Sequence, residues 1–80
     1  MMSQTFERVR RIAADILQVA PSRLTPRSSP KEIETWDSLQ QLSLVLALEQ
    51  EFDVQFEPEE MEAMTSVGQI VSLLEGKLGG

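Results

Sequence analysis

The chain contains no cysteine and no histidine. Without cysteine there is no disulfide and no thiolate metal site. Without histidine the usual general base and the commonest metal ligand are missing. An enzyme is a poor expectation here, because a nucleophilic serine would lack its activating imidazole and so short a chain struggles to enclose a substrate pocket. Long apolar runs are missing too. The longest, Leu44–Leu48, is far too short to span a bilayer. Met1 through Arg11 lack the apolar stretch of a secretory signal. A cytoplasmic protein with no membrane partner is expected.

Basic residues are scarce where acids gather. Residues 1–36 hold six Lys/Arg against four Asp/Glu, whereas residues 37–80 hold Lys77 alone against nine, for a net charge of −6. So acidic a second half disfavours nucleic acid and favours basic protein partners, chiefly through the rate of encounter. Glu57, Glu59, Glu60 and Glu62 lack the alternating oxygen ligands and central glycine of an EF-hand loop, so no metal site is expected. Eighty residues make one small domain, near the lower limit for an unstapled core.

What is present is organised around Trp36 to Asp53. Asp37 is suited to cap a helix by accepting from first-turn N–H groups, and Gln40 to complete a capping box. Ser38 then occupies the first helical position, where free N–H groups and the helix dipole tolerate a phosphate ester. No Gly or Pro follows until Pro58, and the leucines and Ala47 favour helix.

Upstream, Phe6, Val9, Ile12, Ala13, Ile16 and Leu17 recur at three- and four-residue spacing. They predict an amphipathic helix over 4–18, capped by Ser3 or Thr5 and ended before Pro21. Arg8, Arg10 and Arg11 on that helix form either a solvated face or a contact for an anionic partner. Residues 20–36, with Pro21, Pro26 and Pro30 among serines and threonines, read as a long loop anchored by Leu24, Ile33 and Trp36. A short helix is expected over 58–64, with Pro58 in its first turn. A last helix is expected from a Ser66–Gln69 capping box to about residue 75, with Gly76 as its C-cap. The fold class is all-α: a small bundle of three main helices plus one short helix, with a long first loop.

Asp37-Ser38-Leu39, the run Leu44–Asp53, Pro58-Glu59-Glu60 and Thr65-Ser66-Val67 together resemble the acyl carrier protein family over nearly the whole chain. The resemblance implies a single acyl or peptidyl carrier domain over residues 1–80. It makes Ser38 the attachment point of a 4′-phosphopantetheine arm, placed by a phosphopantetheinyl transferase drawing on coenzyme A. Asp37 would help hold magnesium in the transferase complex. Acyl or aminoacyl groups would ride on the arm's thiol as thioesters. The further partners implied are a loading ligase and a downstream synthase or transferase, acting on a monomeric carrier. The missing Cys and His suit that role, since the thiol belongs to the cofactor and the catalysis to the partners.

Leu39, Leu42 and Leu46 share one helix face. Periodicity alone admits a core role for them, whereas Val45, Leu48 and Phe52 belong to the core. The resemblance turns Leu42 and Leu46 toward partners, and with Leu39 and Glu49 they make up the candidate partner surface. The chain also departs from the family's pattern. Thr35-Trp36 stand where a Gly and one further residue are common, and Gln40, Gln41 and Ser43 stand where the fatty-acid type has acids. The missing acids speak against use by the housekeeping fatty-acid enzymes, and a Trp directly before Asp37 resembles the discrete carriers of specialised pathways, aminoacyl carriers included. Two other classes compete: an unmodified acidic helical adaptor for basic partners, and a ubiquitin-like carrier suggested by Gly79-Gly80. The second requires a β sheet, for which no alternating pattern exists.

Overall fold

A computed structural model describes residues 4–79. Four helices run in the order α1 (Gln4–Leu17), α2 (Ser38–Phe52), α3 (Pro58–Glu62) and α4 (Val67–Gly79), and no strand occurs among the described residues. This is the expected all-α bundle of three main helices and one short one.

α1 turns Phe6, Val9, Ala13 and Leu17 into the core and packs against both α2 and α4. It ends one residue earlier than expected. Gln18 adopts a left-handed conformation (φ 58°), and the Val19 N–H reaches back to the Ala14 carbonyl at 3.1 Å. That six-residue closure is a Schellman motif, usually built on glycine. The Gln18 amide also donates to the Asp15 carbonyl at 2.8 Å, satisfying a further free carbonyl. Thr5 lies inside the helix rather than capping it, and Ser3 lies outside the described residues. α2 ends the same way. Asp53 is left-handed (φ 55°) and Val54 N–H donates to Glu49 O at 3.1 Å.

The segment between α1 and α2 is tethered throughout. It holds a 3₁₀ turn at Pro21–Arg23 and successive tight turns, and Leu24, Ile33 and Trp36 are buried as anchors. Thr35 Oγ1 donates to Leu17 O at 2.7 Å, pinning the loop's end beside its beginning. Ser28, a buried polar residue, accepts from Thr25 N–H at 2.9 Å, so its hydroxyl is not left unsatisfied. Two loop carbonyls then receive the start of α4, with Val67 N–H donating to Ser28 O (2.9 Å) and Gly68 N–H to Pro26 O (2.8 Å). Backbone donors that a helix start leaves free are thus satisfied by the loop.

α3 stops at Glu62 rather than residue 64. Ala63 N–H closes onto Glu60 O, which tightens the last turn and lets Met64 enter the core. α4 runs past Gly76 to Gly79, so Gly76 is not its C-cap. A lone glycine weakens a helix without ending it. Here the last turn is held by Lys77, whose Nζ meets Glu60 Oε1 at 2.9 Å and lies 5.5 Å from the Phe56 ring centre. Ser66 does accept from Gln69 N–H (3.2 Å) as expected.

Of the arginines on α1, Arg8 bonds Glu51 at 2.8 Å and covers the Phe52 ring at 4.3 Å, tying α1 to the far end of α2. Arg10 pairs with Glu7 on its own helix. With Lys77 on Glu60, these pairings leave seven of the nine acids of residues 37–80 without an ion pair among the described residues.

Candidate functional site

Asp37 sits in extended conformation (φ −104°, ψ −173°) and its Oδ1 accepts from Gln40 N–H at 2.9 Å. The expected return bond from the Gln40 side chain is absent, because Asp37's own N–H is already given to Thr35 O at 3.1 Å. Gln41 N–H closes the first helical bond onto Asp37 O at 2.8 Å. The N–H groups of Ser38 and Leu39 therefore have no partner among the described residues. They lie at the positive end of a fifteen-residue helix.

Ser38 is exposed, and its hydroxyl makes no hydrogen bond among the described residues. A hydroxyl in the open, next to two free donors, has room for a phosphodiester and partners for its oxygens. The second Asp37 oxygen is left over from capping and can approach a cation. A phosphopantetheine arm on Ser38 fits these residues without displacing any bond now made.

Beside Ser38 lies a groove of about 490 Å³. Its rim is formed by Pro30, Lys31, Asp37 and Ser38, all exposed, and its deeper part by Trp36 and Met64, each only 3% exposed. Trp36 is therefore a packing residue with one edge on the groove. Its indole N–H donates to Gln41 Oε1 at 2.6 Å, and the Gln41 amide donates in turn to Met64 O at 3.5 Å. In the sequence Gln41 figures only as one of the uncharged residues at the mouth of α2, and its inward bonding is an addition made by the structure. Its position carried a signal, because residues 41, 44, 45, 48 and 52 share the inward face of α2 and Gln41 is the only polar member.

α2 carries leucines on two faces. Leu44, Val45, Leu48 and Phe52 face the core. Leu39, Leu42 and Leu46 are 69%, 52% and 52% exposed, so they do not belong to it. Burial would stabilise each by roughly 1.5–3 kcal/mol; three in one stripe form a patch rather than a scatter of single exposures. Glu49, expected beside them, is partly engaged, since one of its oxygens accepts from Phe56 N–H at 2.8 Å. The carboxylate thereby organises the turn after α2. No helix is long and apolar enough to cross a membrane, and no cluster of three or more metal-ligating side chains occurs among the described residues.

Residues 7–74 match the phosphopantetheine attachment site family. An acyl carrier protein from Thermosynechococcus vestitus is 36% identical over 76 residues, covering 95% of this chain and 94% of that one. Another from Phenylobacterium zucineum is 35% identical over 78 residues, covering 98% and 99%. The solution structure of a holo acyl carrier protein from Nitrosomonas europaea superposes with a TM-score of 0.84 at 28% identity, covering 98% of this chain and all of that one.

Proposed function

We propose a place in metabolism for this chain from one premise: it belongs to the acyl carrier protein family. It is a carrier rather than a catalyst, and its cofactor is covalently bound 4′-phosphopantetheine. The arm supplies a thiol on which acyl groups are held as thioesters. Its partners are a phosphopantetheinyl transferase and the biosynthetic enzymes that load and use the carried group.

Ser38 is the attachment residue in this reading, and the single observation behind it is the hydroxyl itself. It stands exposed and unbonded at the mouth of α2, with two backbone donors beside it. Asp37 has two parts: one oxygen caps the helix, and the other helps hold magnesium while the transferase works. Leu39, Leu42 and Leu46 form the apolar contact for partners, with Glu49 at its acidic end and its charge shared with the Phe56 N–H. The 80 residues act as one monomeric, cytoplasmic carrier domain.

The pathway is a specialised one, served by a dedicated acyl- or aminoacyl-loading ligase and a downstream synthase or transferase. Gln40, Gln41 and Ser43 support this, because they leave the first turns of α2 without acids, and Gln41 is occupied by Trp36.

The test is attachment. Incubation with coenzyme A and a broad-specificity transferase should add one arm to the wild type and none to Ser38→Ala. Peptide mapping that puts the arm on another serine, or an intact mass that shows no arm at all, would refute the assignment.

A further inference from the structure

We infer that the Trp36–Gln41 hydrogen bond is a specificity-determining element. It closes the groove beside Ser38 toward the core, so the carried group is a short acyl or an aminoacyl group rather than a long alkyl chain. This rests on Ser38 carrying the arm. A group tethered at Ser38 has a groove beside it, with Ser38 itself on the rim. Pro30, Trp36, Met61 and Met64 give that groove apolar surface, so an apolar cargo gains by entering it. Depth is what it lacks. Leu44, Val45 and Val67 lie fully or almost fully buried, and none of them lines the groove.

Gln41 stands at the boundary between groove and core. It is the first residue of the inward-facing row of α2, one turn before Leu44 and Val45. Its side chain is held from both sides, accepting from the Trp36 indole at 2.6 Å and donating to Met64 O at 3.5 Å. A long chain moving inward would have to part these groups. The Trp36 N–H, on a residue 3% exposed, would then lose its acceptor where water does not replace it, a cost that a neutral apolar tail cannot return. A short or polar group need not move them. An aminoacyl group can also add hydrogen bonds to the polar rim.

The experiment loads the full chain by transferring whole acyl-phosphopantetheine arms from acyl-coenzyme A thioesters, acetyl through decanoyl. Intact mass confirms each product. In the wild type, acetyl and butyryl groups should shift the NMR signals of the Trp36 indole N–H and the Met64 methyl. Longer chains should leave Tm flat and the methyl signals of Leu44, Val45 and Val67 unmoved. In Gln41→Ala the tie is gone. There Tm should climb with chain length, by up to about 3–6 °C per methylene buried, and the core methyl signals should move. Trp36→Phe removes the donor while keeping an aromatic ring, and it should respond in the same direction should Gln41→Ala fold poorly. A wild type whose Tm already climbs with length while its core methyls shift overturns the inference, as do variants as flat as the wild type. An arm missing from Ser38 is seen by mass before any melt and removes the carrier assignment as well. An arm present with length-dependent burial in the wild type refutes the groove's closure alone.

Discussion

Gly68 and Gly76 lie in the same helix and should respond oppositely to the same added methyl group. A Cβ built on Gly76 meets nothing within 4 Å, so Gly76→Ala changes little except backbone entropy. Replacing glycine with alanine in a helix interior gains roughly 0.8–1.0 kcal/mol, which for a domain this size raises Tm by about 3–8 °C. At Gly68 the new Cβ would stand 2.9 Å from Pro26 O. That oxygen is backbone, fixed in the loop, and already accepts the Gly68 N–H at 2.8 Å. Overpacking of this kind costs roughly 1–3 kcal/mol, and stretching the hydrogen bond forfeits part of a further ~0.5–1.5 kcal/mol. After the helix-propensity gain is subtracted, Gly68→Ala should lose about 0.3–3.5 kcal/mol, lowering Tm by about 1 °C or more. Urea melts of wild type and both variants, followed by circular dichroism, give the two free energies, and an unchanged m-value verifies that the unfolded states are comparable. Were Gly68→Ala as stable as the wild type, the loop would not be held against α4 as described and the close approach would carry no energetic weight.

Other expectations concern charge. Glu60 has its pKa lowered, first by the Glu57 N–H that donates to it at 2.7 Å and then by Lys77. A depressed carboxylate pKa means stability that is complete above the unfolded-state value and lost as pH falls through the folded-state one. Lys77→Ala should raise the Glu60 pKa without restoring it fully, because the larger cause remains; an NMR carboxyl titration identical to wild type would contradict this. At the mouth of α2, Gln40→Asp with Ser43→Glu should restore contacts that a basic partner enzyme reads. At about 0.2–1 kcal/mol per exposed pair, a housekeeping fatty-acid ketosynthase should use the loaded variant roughly 2- to 30-fold better, mainly through faster and more salt-sensitive association. Equal turnover of the unaltered chain and a fatty-acid carrier would show that the neutral mouth does not discriminate.

Helix existence was legible because it rests on spacing and caps. The stripe from Phe6 to Leu17 and the Asp37 cap are local signals, and both elements formed where they were expected. Helix ends were less legible. Gln18 and Asp53 take left-handed conformations that a sequence usually advertises with glycine, whereas the available glycine, Gly76, stayed helical because Lys77 reached Glu60 seventeen residues away in sequence. α2 posed a harder problem. Leucine recurs on both its faces, so periodicity alone left Leu42 and Leu46 open to a core role beside Val45, Leu48 and Phe52, and only the packing of α1 and the shared core decides which side is covered. At the site, Asp37 and Ser38 were readable as a cap and a first residue. The Trp36–Gln41–Met64 connection was not, because it joins three segments whose meeting depends on the whole fold.

The docking of the first α4 donors onto loop carbonyls bears on how the molecule opens. The Val67 and Gly68 amides are satisfied by Ser28 and Pro26, about forty residues earlier, not by their own helix. Such hydrogens can exchange with solvent only when the loop lifts away or α4 departs, and either event breaks both bonds together. The loop and the start of α4 therefore form one cooperative opening unit, although one has irregular backbone and the other is regular helix. A slow-exchanging pair of amides at a helix's first turn, where fraying ordinarily makes exchange fastest, marks that unit. The backbone entering the Ser38 helix is thus steadied from the opposite end of the chain.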